Sequence, residues 1–365
     1  MVDFLLPPAD LKRFLSLRTA GIAFADRQTG GIGMLRWGFL GTSFISHTMA
    51  KAVAKSAGSK LVAVSGRDPA RLDAFATQYD VPRRYDTLDA VAEDADVDVV
   101  YVGLPNNLHA QAVIGAAARG KAVLCEKSLA TNMDDARAIA QAVTETGIFF
   151  VEGLMYLSHP IIAAFGEVIE SGRLGRLRTV SATYAADIWD VVNPHGKGTI
   201  FNLGCYPASL LHYVLKMGCG DTAFPRRQVQ ATGNRSAKDG NLCDATAILR
   251  FDNGLIAGLT STDSFGMSYE FTVRGELGSL RFLTNPWLPA AGDNSFEIEL
   301  YGHPVERVTR SSRYDAFDYQ VQLVEAAIRN GHREAPLPSP SLADSLQIMS
   351  FLTEWQALSE RAIDG

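Results

Sequence analysis

The chain has 365 residues, 34 basic and 40 acidic side chains, a net charge of -6, 47% hydrophobic and 20% charged residues. That length exceeds one ordinary core and predicts two domains with a cleft, and the composition is that of a globular chain, not a disordered one. The acidic balance excludes a general electrostatic grip on nucleic acid or an anionic membrane, and no apolar run approaches the roughly 20 residues of a membrane helix.

Residues 1–33 read as an N-terminal extension with a short helical stretch around Leu11 to Leu17 and a Gly-rich end at Gly30 to Gly33. They lack the long apolar centre and small-residue cleavage site of a secretory leader, and Asp3, Asp10 and Asp26 speak against a mitochondrial one. They are either native or sequence upstream of a start at Met34, which directly precedes the first convincing strand.

From Leu35 short apolar runs alternate with longer amphipathic ones, the pattern of strand and crossover helix around a parallel sheet. Strands are predicted over Leu35 to Leu40, Leu61 to Ser65, Val97 to Gly103, Ala122 to Cys125 and Ile148 to Val151. Helices are predicted over Ile45 to Ser56, Pro69 to Tyr79, Leu88 to Glu93, His109 to Arg119 and Met133 to Thr146. This defines an α/β Rossmann domain, a doubly wound parallel sheet over residues 34–153. A second domain over 154–365 opens with a helix near Ile161 to Ser171. It then turns to strands at Leu177 to Tyr184, Gln228 to Gly233, Ala245 to Phe251, Leu255 to Ser261 and Glu270 to Arg274. The Asp252-Asn253-Gly254 turn signals a hairpin, hence antiparallel pairing. Pro336 to Pro340 links to a closing helix over Leu342 to Leu358.

The turn Gly41-Thr42-Ser43-Phe44-Ile45-Ser46 follows the first strand and opens a helix, the setting in which backbone N–H groups and a helix dipole meet a pyrophosphate. Ser43 and Ser46 stand where the G-x-G-x-x-G fingerprint has its later glycines, and the turn is also readable as an ordinary strand-to-helix connection. Where an NAD site places an acidic residue, after the second strand, this chain has Ser65, Gly66 and Arg67, with Arg71 beyond. Hydroxyl and guanidinium donors suit the 2′-phosphate of NADP, although the arginines are also readable as solvent-facing. Asp68 fits a helix N-cap. Cys125, Cys205, Cys219 and Cys243 form no CxxC pair and the seven histidines no HExxH. The expectation is a cytoplasmic protein without disulfide framework or metal.

The segments VYVGLPNNLHAQAVIGAAARGKAVLCEKSLA (Val100 to Ala130), EGLMYLSHP (Glu152 to Pro160) and NLGCYPASLLHY (Asn202 to Tyr213) resemble the Gfo/Idh/MocA family of NAD(P)-dependent sugar and polyol oxidoreductases. WGFLGTSFIS and GCYP are most similar to the branch holding glucose-fructose oxidoreductase, 1,5-anhydrofructose reductase and dimeric dihydrodiol dehydrogenase. The resemblance runs from about Leu35 to the C-terminus. It implies a C-terminal α/β domain with an open, mainly antiparallel sheet that supports the substrate site, and a homodimer or homotetramer. The family's Glu-Lys-Pro motif falls on Glu126-Lys127, with Ser128 for the proline. Its Asp-x-x-x-His/Tyr pair falls on Asn202 and Tyr206. Leu104, Pro105, Asn107 and His109 match the loop lining the cofactor, and Met155, Tyr156 and His159 the segment entering the cleft. His109 is equally readable as structural. Trp189, Asn193, His195 and Lys197 belong to a loop expected to face the cleft.

Carried over in this way, Lys127 stabilises charge on the reacting oxygen and Tyr206 exchanges its proton, with Lys127 expected to lower the Tyr206 pKa. Asn202, on the same helical face as Tyr206, orients substrate but cannot act as a base. The implied activity is hydride transfer between NADP, NAD being the alternative, and a hydroxyl or carbonyl carbon of a sugar, cyclic polyol or related small molecule. Two other readings stand beside it: a non-catalytic NADP(H)-sensing regulator on the same fold, permitted by Asn202 and Ser128, and an NAD-assisted glycosidase.

Overall fold

A computed structural model describes residues 33–364; the helical stretch expected around Leu11 to Leu17 lies outside them. From Leu35 the chain forms β1 (Leu35–Leu40), α1 (Phe44–Lys55), β2 (Ser59–Ser65), α2 (Pro69–Gln78), β3 (Arg83–Tyr85), α3 (Leu88–Glu93), β4 (Val99–Val102), α4 (His109–Ala118), β5 (Ala122–Glu126), α5 (Met133–Thr146) and β6 (Phe150–Gly153). The six strands lie parallel in the order β3-β2-β1-β4-β5-β6. Every residue of β4 is buried, as befits a strand covered on both faces. Local chemistry sets the helix ends. The Asp68 carboxylate accepts from Arg71 N at 3.1 Å and Pro69 opens α2; Asn132 caps α5, which stops where Gly147 takes φ 65°.

The second sheet is built from β7 (Leu177–Ala186), β8 (Arg227–Arg235), β9 (Leu242–Phe251), β10 (Ile256–Thr262), β11 (Met267–Gly275), β12 (Gly278–Phe282), β13 (Gly292–Leu300) and β14 (Glu306–Ser312), in the order β14-β13-β12-β11-β7-β10-β9-β8. All its neighbours pair antiparallel except β7 with β10. The expected hairpin joins β9 to β10: Gly254 takes φ +86° and Phe251 N donates to Leu255 O at 2.9 Å. Burial alternates along β9, with Ala245, Ala247, Leu249 and Phe251 inward and Ile248 out. The inner face packs on α6 (Pro160–Glu170) and α7 (Cys205–Cys219), where Phe165 meets Phe271, Phe282 and Phe296. The outer face leaves Ile248 and Ile256 exposed, while Met267 and Tyr269, in register with Ala186 and Tyr184 of the inner face, are exposed at the start of β11.

Two C-terminal helices tie the sheets together. The long α9 (Leu342–Asp364) packs on α5, α7 and β8. The shorter α8 (Ala316–Arg329), opened by an Asp315/Asp318 capping box, lies on the first sheet's helix layer. Its Val321, Leu323, Val324 and Ala327 share a core with Trp37, Phe39 and Phe75. Lys55 Nζ bonds Asp318 Oδ2 at 2.9 Å, and Ser59 Oγ donates to Glu325 Oε1 at 2.5 Å. The expected second unit, 154–365, thus lends a helix to the first. Among the described residues no helix is long and apolar enough to cross a membrane.

Candidate active site

The order of the first sheet reverses direction between β1 and β4, so the loops after their carboxyl ends part and open a crevice, the usual seat of a dinucleotide. Gly41 sits in that crevice at φ +99°, and a Cβ there would meet Gly103 O at 2.8 Å. Only glycine combines that dihedral with that approach. Thr42 and Ser43 follow, then Phe44, 65% exposed, and Ile45 in the first turn of α1.

The two serines of this turn bond inward. Ser43 Oγ donates to Gly103 O at 3.2 Å and lies 3.3 Å from Ser46 Oγ, and Ser46 is fully buried. Gly103, a position the sequence reading passed over, makes the room: a Cβ on it would meet Ser46 Oγ at 2.7 Å. Ser43 and Ser46 thus fasten α1 to the end of β4, and the backbone N–H groups of the turn remain the donors for an anion.

Ser65 ends β2 beside this turn, its hydroxyl buried without a hydrogen-bond partner. Gly66 approaches Thr42, and Arg67 is exposed. Asp68 caps α2, as expected. Across the crevice Leu104 and Pro105 are half-buried, Asn107 is exposed, and Asn106 holds a buried side-chain nitrogen with no partner. A positive-φ glycine against a carbonyl, orphaned polar atoms on both sides and an exposed guanidinium fit a phosphorylated dinucleotide. His109 lies behind this loop, fully buried, with Nδ1 3.0 Å from Ser128 O and Nε2 2.9 Å from Leu104 O. Burial lowers its pKa, and a neutral ring donates to one of these carbonyls at a time. His109 therefore braces the loops after β4 and β5.

The carboxyl end of β5 carries the lysine. Glu126 is turned inward: Tyr101 Oη donates to its Oε1 at 2.9 Å, and burial pushes its carboxyl up. Lys127, half-buried, points the other way and donates from Nζ to Asn202 O at 2.6 Å. Ser128 Oγ donates to Phe201 O at 2.9 Å. Neighbouring residues of the β5 loop thus hold successive carbonyls of the segment before α7, and the second bond is one that a proline could not make. The Lys127–Ser128 peptide is cis.

Asn202 lies in a wide π turn, Ile200–Gly204, that runs into α7. Its Nδ2 donates to Asp263 Oδ2 at 2.7 Å. Asp263 follows the last residue of β10; the sequence reading missed it, and the local signal was only an acidic residue closing an apolar strand. Its side chain is fully buried, Oδ1 has no partner, and burial raises its pKa to about 6.

Tyr206 opens α7 with its ring edge-on to Tyr184 at 5.3 Å and tilted to Tyr156 at 5.9 Å. Its hydroxyl reaches Met155 Sδ at 3.9 Å. Lys127 Nζ stands 5.1 Å from the ring centroid. The expectation that Lys127 lowers the Tyr206 pKa is corrected here. Burial, followed by the charge states of Tyr184 and Cys205, pushes this phenol well above its ordinary value, while the ammonium lies against the ring and donates to the Asn202 carbonyl. Met155, Tyr156 and His159 are buried behind Tyr206 as support: Tyr156 Oη lies 2.7 Å from Ser209 Oγ, and His159 Nδ1 accepts from Ile161 N. Of the loop expected to face the cleft, Asn193, His195 and Lys197 are exposed and Trp189 is half-buried beneath Lys238 Nζ.

A Rossmann crevice whose central loops carry a lysine over a tyrosine defines the class, an NAD(P)-dependent oxidoreductase. The chain belongs to the Gfo/Idh/MocA family: the profile described as "Oxidoreductase family, NAD-binding Rossmann fold" matches residues 35–153 and that of the family's C-terminal domain residues 162–281. The trans-1,2-dihydrobenzene-1,2-diol dehydrogenase of Bos taurus is 28% identical over 328 residues, 86% of this chain and 95% of that one. Among solved structures, the 3-ketoreductase KijD10 of Actinomadura kijaniata, in complex with NADP and TDP-benzene, superposes with a TM-score of 0.76 at 24% identity, covering 89% of this chain and 98% of its own. The aldose-aldose oxidoreductase of Caulobacter crescentus gives 0.75 at 22% identity, with 90% and 98% covered.

Proposed function

We propose that this protein is an NADP-dependent oxidoreductase that interconverts a hydroxyl and a carbonyl on a sugar, cyclic polyol or related small molecule, with Lys127 and Tyr206 serving the reacting oxygen. The observation that carries the reading is the meeting of Lys127 Nζ, the Asn202 carbonyl and the Tyr206 ring at the carboxyl end of β5, next to the dinucleotide crevice. Bound nicotinamide supplies or accepts the hydride. Lys127 spends one of its donors on Asn202 O; the others remain for the substrate oxygen, where a fixed positive charge favours the developing alkoxide. Tyr206, kept protonated by burial, gives its proton to that oxygen in reduction and takes it back in oxidation. The acid is thus a neutral phenol, not a phenolate tuned by the lysine.

Ser65, with its unpartnered hydroxyl, and Arg67 support NADP over NAD. The relatives support the substrate class, since they are named for a dihydrodiol, a 3-ketoreductase activity and an aldose. Ile248 and Ile256, exposed on the outer face of the second sheet, support assembly as a homodimer or homotetramer through that face. Fluorescence titration with NADPH and NADH, followed by NADPH oxidation on keto sugars and diketones, tests the proposal. Arg67→Ala is expected to weaken NADPH binding about tenfold or more, the worth of a charge-assisted contact, and to leave NADH unchanged. A wild-type preference for NADH would overturn the cofactor assignment.

A further inference from the structure

The family resemblance puts a carboxylate at position 202, and this chain has an amide there. Yet a carboxylate is present 2.7 Å away, delivered from the end of β10 as Asp263. We propose that Asp263 is a positioning residue that fixes which end of the Asn202 amide faces the substrate, so that Asp263 and Asn202 act as one unit; this rests on the hydride-transfer reading above.

The geometry carries the argument. An ionised carboxylate only accepts hydrogen bonds, so Asn202 must turn its Nδ2 to Asp263 and its Oδ1 away. Oδ1 then faces Gly196, where a Cβ would lie 3.2 Å from it. Gly196 belongs to the loop with Asn193, His195 and Lys197, and the missing side chain leaves Oδ1 open as an acceptor for a substrate hydroxyl. Asp263 itself is poorly served. Its Oδ2 holds a single amide donor, its Oδ1 none, and the whole side chain is out of water. A carboxylate that is buried for stability alone normally collects more donors than this.

The same pair responds to pH. The groups around Asp263 are Asp244 and the Cys243 thiol on β9, Asp239 on the preceding loop and Asn202 on the π turn, while Lys127 holds the far side of that turn through the Asn202 carbonyl. The burial and the two aspartates raise the Asp263 pKa to about 6, against the lowering by Asn202. Below that pH the carboxylic acid both donates and accepts, so it no longer dictates which end of the Asn202 amide it meets. Asn202 therefore presents only an acceptor to the cleft above about pH 6 and is free to turn either end to it below.

The test has a part that needs no substrate. In protein labelled with ¹⁵N asparagine, with Asn202→Asp used to assign the signal, the Asn202 side-chain amide is expected to shift between pH 5 and pH 8 with a midpoint near 6, and to stop shifting in Asp263→Asn. An amide signal that stays fixed across this range in the wild type overturns the proposal, whatever the enzyme's activity. The kinetic part reads the role. Asp263→Asn is expected to lower kcat/KM about tenfold, the worth of one oriented hydrogen bond, and to abolish the acid limb of its pH profile. The exchanged variant Asn202→Asp/Asp263→Asn is expected to regain activity, because it keeps one carboxylate and one amide in contact. Wild-type kcat/KM and an intact acid limb in Asp263→Asn contradict the positioning role. A wild-type protein that turns over nothing while its Asn202 amide still titrates with Asp263 refutes hydride transfer and leaves the coupling standing.

Discussion

Tyr206→Phe separates a catalytic hydroxyl from a structural ring. The hydroxyl has one partner, the Met155 sulfur at 3.9 Å, a weak acceptor whose loss costs less than about 1 kcal/mol. The ring contacts with Tyr184 and Tyr156, and the Lys127 ammonium 5.1 Å from the centroid, survive the substitution. Thermal unfolding is therefore expected to move little. Activity is not. A positioned general acid contributes about 10² to 10⁴ in rate, so kcat for carbonyl reduction is expected to fall at least about 100-fold, equivalent to about 2.7 kcal/mol of transition-state stabilisation. Because burial raises the Tyr206 pKa, its protonated form persists as the pH rises, and the acid function is lost only as pH passes the raised value. Wild-type reduction should consequently show no alkaline limb from Tyr206 below its ordinary pKa of about 10. The assay is steady-state NADPH oxidation from pH 6 to 10 beside a melting curve. A variant that retains more than a third of wild-type kcat while folding normally would refute the role given to this phenol.

Lys127→Met keeps the length of the side chain and removes its charge; kcat is expected to fall about 10² to 10³-fold with NADPH affinity nearly unchanged, measured by titration beside turnover. Ser128→Ala deletes a buried bond to Phe201 O at 2.9 Å and should cost about 1–2 kcal/mol of stability in denaturant unfolding, with the unpaired carbonyl setting the size. Glu152 is fully buried; Leu129 N donates to its Oε1, and burial raises its pKa to about 7. Its raised value means that the neutral acid suits the fold, so stability is fully present below the unfolded pKa and lost as pH rises through about 7. Glu152→Gln should match wild type in unfolding free energy near pH 4.5 and exceed it above pH 7 by an amount on the order of 3 kcal/mol, measured by denaturant unfolding.

Most of the first sheet was legible because its signals are local. Doubly covered strands are continuous apolar runs, and Asp68 and Asn132 mark helix starts within one residue. β3 escaped because Arg83–Tyr85 is a short edge strand of polar letters. β14 escaped for a related reason, since Glu306–Ser312 has no buried residue to give it a period, whereas β12 and β13 do alternate, as in Leu280 and Phe282 or Phe296 and Ile298, and that period was passed over. α8 did carry a readable signal in its Asp315/Asp318 box, yet its packing on α1 joins residues some 260 positions apart, as in the pair Lys55 and Asp318, which no local pattern encodes. The site divides similarly. Gly41, Lys127 and Tyr206 follow from motif and spacing. Asp263 does not, because its meaning lies in the contact with Asn202, and the serines of the nucleotide turn could be placed but not aimed. The rise in the Tyr206 pKa was equally out of reach, since it depends on burial and on the groups packed around the ring.

On the proposed function, NADP lies in the crevice beside Gly41, and Lys127 and Tyr206 serve the oxygen of whatever faces its nicotinamide. The most direct measurement is a crystal structure with NADP and a bound polyol or keto sugar. The predicted result has Arg67 on the 2′-phosphate and a ligand oxygen within hydrogen-bond reach, about 2.6–3.2 Å, of both Lys127 Nζ and Tyr206 Oη, next to nicotinamide C4. A nicotinamide seated away from β5, or a ligand whose reacting oxygen meets neither side chain, would contradict it.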